Sequence, residues 1–213
     1  MEYWSLLWLS SVLLGAASIT LLSYWSCGSK RRQRSPDCKV RTLVVLGSGG
    51  HTTEMLHLLT RLPKQRYHPL FYVLADTDHT SKAKVEASPL APQATEYIRI
   101  PRSREVGESW IRSLMKTAYA CAWAVAIVIR KRPQLIICNG PGTCLPICLA
   151  AFGLRTFFLS DVRIVFCESF CRVKTLSLTG KIFYNFRVVD RFVVQWPALQ
   201  KRFPRAEYIG TIC

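Results

Sequence analysis

The sequence predicts an α/β domain, a mostly parallel sheet with flanking helices, carried behind one N-terminal membrane-spanning helix. Three observations predict it. Short apolar runs alternate with helical stretches throughout residues 41–213, the rhythm of βαβ units with parallel strands. Thr42–Glu54 (TLVVLGSGGHTTE) passes from a continuous branched run through a glycine turn into a helix start, and unbroken apolar strands are those buried on both faces of a sheet. Tyr3–Cys27 carries no charge and is rich in Leu, Trp, Ser and Ala.

As a helix, that first stretch of about 25 residues would span roughly 37 Å, enough to cross a bilayer. Trp4, Trp8, Tyr24 and Trp25 lie toward its ends, where interfacial aromatics belong. A cleavable signal peptide would begin basic. This chain begins Met1-Glu2 and places Lys30, Arg31, Arg32 and Arg34 after the apolar run, so an uncleaved anchor is expected. The positive-inside rule then puts residues 1–2 in a lumen and the bulk of the chain in the cytosol. Residues 28–40 form a basic linker, and residues 41–213 are of ordinary size for one domain.

Within that domain, strands are expected at Arg41–Leu46, Leu70–Ala75, Glu96–Ile100, Leu135–Cys138, Arg163–Cys167, Arg191–Gln195 and Glu207–Ile209. Helices are expected at Thr52–Leu62, Thr80–Glu86, Ser109–Lys131, Thr143–Gly153, Thr175–Phe186 and Ala198–Phe203. The run Ala118–Ile129 (AYACAWAVAIVI) is apolar all round with basic flanks. It is too short to span a bilayer, so it is either buried in the core or embedded in a membrane interface.

The formal net charge is +16, spread over the linker and short clusters. No repeated module interleaves aromatics with these charges, so a nucleic-acid reader is not expected. A basic face beside an anchor suits anionic lipid headgroups and would attract a phosphorylated lipid substrate. The nine cysteines form no Cys-x-x-Cys pair. Few histidines lie near them, so buried free thiols in a reducing compartment are expected and a zinc site is not.

In open parallel sheets, ligands bind beyond the C-terminal strand ends. Gly47, Ser48, Gly49 and Gly50 form the first such loop, where backbone N–H groups and a helix N-terminus can meet an anion. Thr52 or Thr53 would cap that helix and Glu54 would favour its first turn. His51 can touch the anion, move a proton or simply cap the helix. Asp76 and Asp78 follow the second strand, and either can cap the next helix instead of serving a site. Arg102 and Arg104 follow the third. Asn139, Gly140, Gly142 and Thr143 make a second glycine loop after the fourth. Glu168 follows the fifth, where a partly buried carboxylate needs a partner or a role, and Arg172 lies one turn on.

Taken together, TLVVLGSGGHTTEML, YVLADTD, RIPRSREV, ICNGPGTCLPIC, ESFCRVKTLSLTGKI and VVQWPAL resemble the family of membrane-anchoring subunits of the eukaryotic UDP-N-acetylglucosamine transferase of dolichol-linked oligosaccharide synthesis. The resemblance covers nearly all of residues 41–213. It implies a Rossmann-like, acceptor-side half of a split GT-B glycosyltransferase. That enzyme adds the second GlcNAc, in β1,4 linkage, to dolichol-diphosphate-GlcNAc on the cytosolic face of the endoplasmic reticulum. The donor-binding half is a separate cytosolic subunit, recruited to the membrane by the anchored one, and the chain is not expected to be active alone. A fused bacterial relative glucosaminylates the lipid-linked peptidoglycan precursor. Its first glycine loop maps to Gly47–Gly50, its candidate base to His51, its second loop to Asn139–Thr143 and a motif glutamate to Glu168. The surroundings CESFC depart from the relative's His-Glu-Gln pattern.

These readings leave His51, Asp78 and Glu168 as candidate bases. The glycine loops with Thr52, Arg102 and Arg104 are the candidate diphosphate site. The family also implies that the C-terminal segment Tyr208, Ile209, Gly210, Thr211, Ile212 and Cys213 binds the donor subunit, and an apolar end of that kind would fray unless docked. No metal or cofactor is expected. Two rivals remain: a non-catalytic membrane scaffold, and a membrane-bound Rossmann-type oxidoreductase in which Asp76 would hold a ribose. The missing G-x-G-x-x-G spacing opposes the second.

Overall fold

The computed structural model describes residues 38–63, 65–102, 110–140, 142–157 and 159–212. The expected anchor at residues 3–27 and the linker up to residue 37 lie outside the described residues, as do Arg104 and Cys213. Among the described residues no helix is long and apolar enough to cross a membrane.

Branched and aromatic runs give seven strands, β1 (Thr42–Val45), β2 (Leu70–Ala75), β3 (Ala94–Ile100), β4 (Leu135–Asn139), β5 (Arg163–Cys167), β6 (Arg191–Val194) and β7 (Glu207–Tyr208). Between them lie α1 (Gly50–Thr60), α2 (Ser81–Glu86), α3 (Trp110–Lys131), α4 (Cys144–Thr156), α5 (Leu178–Asn185) and α6 (Pro197–Arg202). The strands form one sheet in the order β3-β2-β1-β4-β5-β6-β7, parallel at every pairing. Thr42 is in register with Leu70 on one side and Leu135 on the other. The connections reverse direction between β1 and β4, which opens a crevice at the C-terminal ends of those two strands.

Alternate residues of each strand feed two cores. On one face Leu43, Val45, Ile136, Cys138, Ile164 and Phe166 pack with Ala124 and Val128 of α3, Ile147 of α4 and Phe183 of α5. On the other, Val44, Leu46, Tyr72 and Ile137 pack with Met55 and Leu59 of α1 and Val85 of α2. Leu43 through Leu46 are completely buried, each contributing about 1.5–3 kcal/mol of transfer free energy. Beyond α1 the second face carries a small cluster in which Ile212 of the C-terminal segment covers Cys167 and Val193.

The apolar run in α3 is divided between two environments. Ala120, Ala124, Ile127 and Val128 are buried, the small alanines letting α3 lie close against α4. Met115, Tyr119, Trp123 and Ile129 point outward and are exposed. Of the described cysteines, Cys138, Cys144, Cys148 and Cys167 are buried, and all seven are free thiols.

Candidate functional site

The crevice is built from the loops after β1, β4 and β5 and the first turns of α1. The β1 loop turns at Gly49, whose φ of +70° is a conformation that L side chains rarely adopt. Helix α1 therefore starts at Gly50 with Gly49 as N-cap and no side-chain cap, two residues before the expected start. Ser48, Gly49 and Gly50 are exposed, and the space where a Cβ would lie on either glycine is open. The first turn of α1 thus offers unpaired N–H groups and a positive dipole end to an anion.

Freed from capping, Thr52 is completely buried and donates its hydroxyl to the Gly47 carbonyl. Its oxygen also meets Ser81 Oγ at 2.6 Å. Lys84 reaches across from α2 to donate to Gly49 O at 2.9 Å. Asp78 completes this cluster. Its Oδ1 accepts from Thr80 N and Ser81 N, both at 3.0 Å, so it caps the start of α2. Burial works to raise its pKa, but the hydrogen bonds from Ser81 and Thr80 outweigh it and hold the carboxyl below its ordinary 3.8.

His51 belongs to a second cluster. Its Nδ1 lies 3.0 Å from Asn139 Oδ1. Asn139, 1% exposed at the end of β4, donates its Nδ2 to Glu54 Oε2 at 2.8 Å. Glu54 also accepts from Ser169 Oγ at 3.0 Å and from Phe170 N at 3.3 Å. The half-buried imidazole packs over Gly140. A Cβ there would sit 2.9 Å from His51 Cε1, and Gly140 has φ +58°, so only glycine fits this turn. The loops after β1, β4 and β5 are thereby joined through side chains of one helix turn.

Glu168 is completely buried at the end of β5. Its carboxylate accepts from Ser169 N at 3.1 Å, Ser177 N at 2.9 Å and Ser177 Oγ at 3.1 Å. Ser177 is the N-cap of α5 and accepts from Gly180 N at 2.9 Å. A Cβ at Gly180 would lie 2.2 Å from Glu168 Oε2, so glycine there makes room for the carboxylate. Burial raises the Glu168 pKa above its ordinary 4.5, against those hydrogen bonds and the positive charge of Arg172. Arg172 itself is exposed, and the direct partners of Glu168 are Ser169 and Ser177.

The remaining expected residues are placed as follows. Asp76 is exposed and accepts from Thr77 N at 2.9 Å. Arg102 is exposed and reaches Thr77 Oγ1 at 3.5 Å, on the β2 side of the crevice. Gly142 is exposed and Thr143 half-buried as N-cap of α4, with no side-chain cap bond. The C-terminal segment docks on its own domain: Ile212 N donates to Gln195 Oε1 at 3.0 Å, and Arg61 donates to Ile212 O at 3.2 Å. Tyr208 and Ile209 stay exposed, at 41% and 47%. Among the described residues no group of three or more His, Cys, Asp or Glu side chains could hold a metal ion.

Sequence reasoning assigned Glu54 only to the helix start, whereas it is 7% exposed and bridges two other loops. The available signal was its spacing of three from His51, which puts both on one helix face. A groove of about 550 Å³ lies at the opposite end of the sheet, lined by Arg41, Val128, Ile129, Gln134 and Leu154. None of the expected site residues lines it.

Residues 42–212 match the family described as "Oligosaccharide biosynthesis protein Alg14 like". The chain is 41% identical to the rat protein named UDP-N-acetylglucosamine transferase subunit ALG14, over 93% of this chain and 94% of the relative. It is 44% identical to the human protein of that name, over 84% and 85%. The Schizosaccharomyces pombe protein of the same name is 40% identical, over 92% and 94%. Among solved structures, MurG of Acinetobacter baumannii superposes with a TM-score of 0.58 at 16% identity, over 80% of this chain and 45% of that one. At that identity the likeness is one of fold, and it spans less than half of MurG.

Proposed function

Because the chain belongs to the Alg14-like family of oligosaccharide biosynthesis proteins, we propose that it is the membrane-anchored, acceptor-binding subunit of a heteromeric UDP-GlcNAc transferase. It adds the second GlcNAc, in β1,4 linkage, to dolichol-diphosphate-GlcNAc on the cytosolic face of the endoplasmic reticulum. It recruits a cytosolic donor-binding subunit and is inactive without it. The observation that carries this reading is the crevice between β1 and β4. There an exposed glycine loop at a helix N-terminus lies beside a histidine held by Asn139. The likeness to 45% of MurG accords with a chain that supplies one half of a two-part glycosyltransferase.

In this mechanism the acceptor diphosphate rests on the N–H groups of the Gly47–Gly50 loop and the first turn of α1. Arg102 and the glycine loop after β4 (Asn139, Gly140, Gly142 and Thr143) complete the cradle, with Arg104, outside the described residues, the further cation expected to serve it. His51 removes the proton from the sugar hydroxyl. The oxygen then attacks the anomeric carbon of the donor, and the bond from that carbon to the diphosphate oxygen breaks with the electron pair leaving on UDP. Asp78 and Glu168 are the alternative bases. His51 is favoured because both carboxylates already accept hydrogen bonds from helix starts.

The test is reconstitution with radiolabelled UDP-GlcNAc and the lipid-linked diphosphate acceptor. Chitobiosyl product should form only when the chain and the donor subunit are both present. Product from the donor subunit alone, on membranes lacking this chain, would reduce it to a scaffold or less. Saturable NADH binding would favour an oxidoreductase.

A further inference from the structure

An acidic residue in the first turns of a helix ordinarily faces solvent and meets the helix dipole. Glu54 turns inward instead and takes hydrogen bonds from three donors on two other loops. We propose that Glu54 is a positioning residue: through the Asn139 amide it fixes the proton of His51 on Nδ1 and leaves Nε2 as the proton acceptor. The inference rests on the reading of His51 as the base.

Glu54 Oε2 accepts from Phe170 N at 3.3 Å and, at 2.8 Å, from the NH₂ that the Asn139 side chain presents to it. That choice turns the Asn139 carbonyl oxygen toward His51. A carbonyl only accepts, so His51 Nδ1, 3.0 Å away, must carry the hydrogen. In the neutral imidazole the lone pair then lies on Nε2. The reversed amide would set oxygen against oxygen at Glu54 and offer N–H to Nδ1, which would put the histidine's proton on Nε2 and remove the base. One buried carboxylate, two hydrogen bonds away, thus selects the nitrogen. Gly140 contributes the plane, since the ring lies against its bare Cα. This is the role of a carboxylate that orients a catalytic histidine, with an amide placed between.

Two substitutions separate this role from mere support of the fold. In Glu54→Gln the amide oxygen can still accept from Asn139 and Phe170 N, and its NH₂ can donate to Ser169 Oγ. In Glu54→Met no acceptor remains for Asn139. The readout is the nitrogen-15 spectrum of the histidine rings in the full chain, held in phospholipid nanodiscs with its donor subunit. His51 is identified among the four histidines by loss of its signal in His51→Gln. Wild type and Glu54→Gln should show the Nδ1–H form, and Glu54→Met a mixture or the Nε2–H form. Turnover should follow, with kcat falling about 10- to 100-fold in Glu54→Met at unchanged acceptor KM, and most of it recovered in Glu54→Gln.

An Nε2–H ring in wild type overturns the inference whatever the variants do. So does an unchanged Nδ1–H ring in Glu54→Met. Failure of the base reading would look different: normal turnover in His51→Ala beside an Nδ1–H ring in wild type.

Discussion

At the scale of single residues, the buried polar groups divide into those that hold the loops and those that burden the fold. Asp78 holds a loop. Its folded pKa lies below 3.8, so its contribution to stability is fully present above that value and is lost as pH falls through the lower, folded one. Glu168 has the opposite sign. Raised above 4.5, it favours the folded state at low pH and loses that contribution as pH rises through the folded value. Asp78→Asn should therefore cost about 1–2 kcal/mol at pH 7 and flatten the loss of stability below pH 3.8, as measured by urea unfolding between pH 3 and 7. Tyr72 is a burden: its ring stacks on Tyr97 at 5.7 Å, yet its buried hydroxyl has no hydrogen-bond partner among the described residues. Tyr72→Phe should leave stability unchanged or raise it by about 1 kcal/mol, since it removes only a desolvated group. A loss above that amount would mean that the hydroxyl is satisfied in solution. Gly140→Ala should displace His51 through its 2.9 Å contact. Its strain would cost about 1–2 kcal/mol of stability, and turnover would fall far more than that loss explains.

At the scale of elements, the strands were legible because a parallel sheet buried on both faces demands unbroken branched runs. The β2 and β5 limits, Leu70–Ala75 and Arg163–Cys167, are those read from sequence. Element starts were less legible wherever a distant group sets them. Helix α1 begins early because Gly49 supplies the turn and Thr52 bonds backward to Gly47. Helix α5 begins at Leu178 and not Thr175 because Ser177 caps it while serving Glu168. Strand β3 gains two residues where Thr95 Oγ1 accepts from Leu70 N beside a register shift. The spacing of His51 and Glu54 puts them on one helix face, but the partners of Glu54 left no local signal: Ser169 lies 115 residues away, and no local pattern reports so distant a partner. The C-terminal segment separates two roles that truncation would confuse. Ile212→Ala should destabilise the domain by about 2–3 kcal/mol, because it opens the cluster over Cys167 and Val193. Ile209→Ser, at an exposed position, should leave stability within about 0.5 kcal/mol and weaken co-purification of the donor subunit. Intact co-purification would place that interface elsewhere.

At the scale of the whole molecule, the sheet order creates the crevice, and the crevice gathers the glycine loops that sequence had singled out separately. Their strand-end positions were predictable from the parallel alternation, while their convergence at β1 and β4 required the order of strands. The proposed anchor lies outside the described residues, whose sheet and crevice are built from residue 38 onward. Deleting Met1–Arg34 should release this chain and its donor subunit from membranes with the domain still folded, a result checked by sedimentation in high salt. Complete retention in the pellet would require a second membrane contact. The central claim, that His51 in the first turn of α1 is the base of an acceptor site, is tested most directly by single-turnover kinetics of His51→Ala in the reconstituted two-subunit transferase. The account predicts a rate about two to four orders of magnitude lower, with donor-subunit binding unchanged. A rate near that of the natural chain would contradict it.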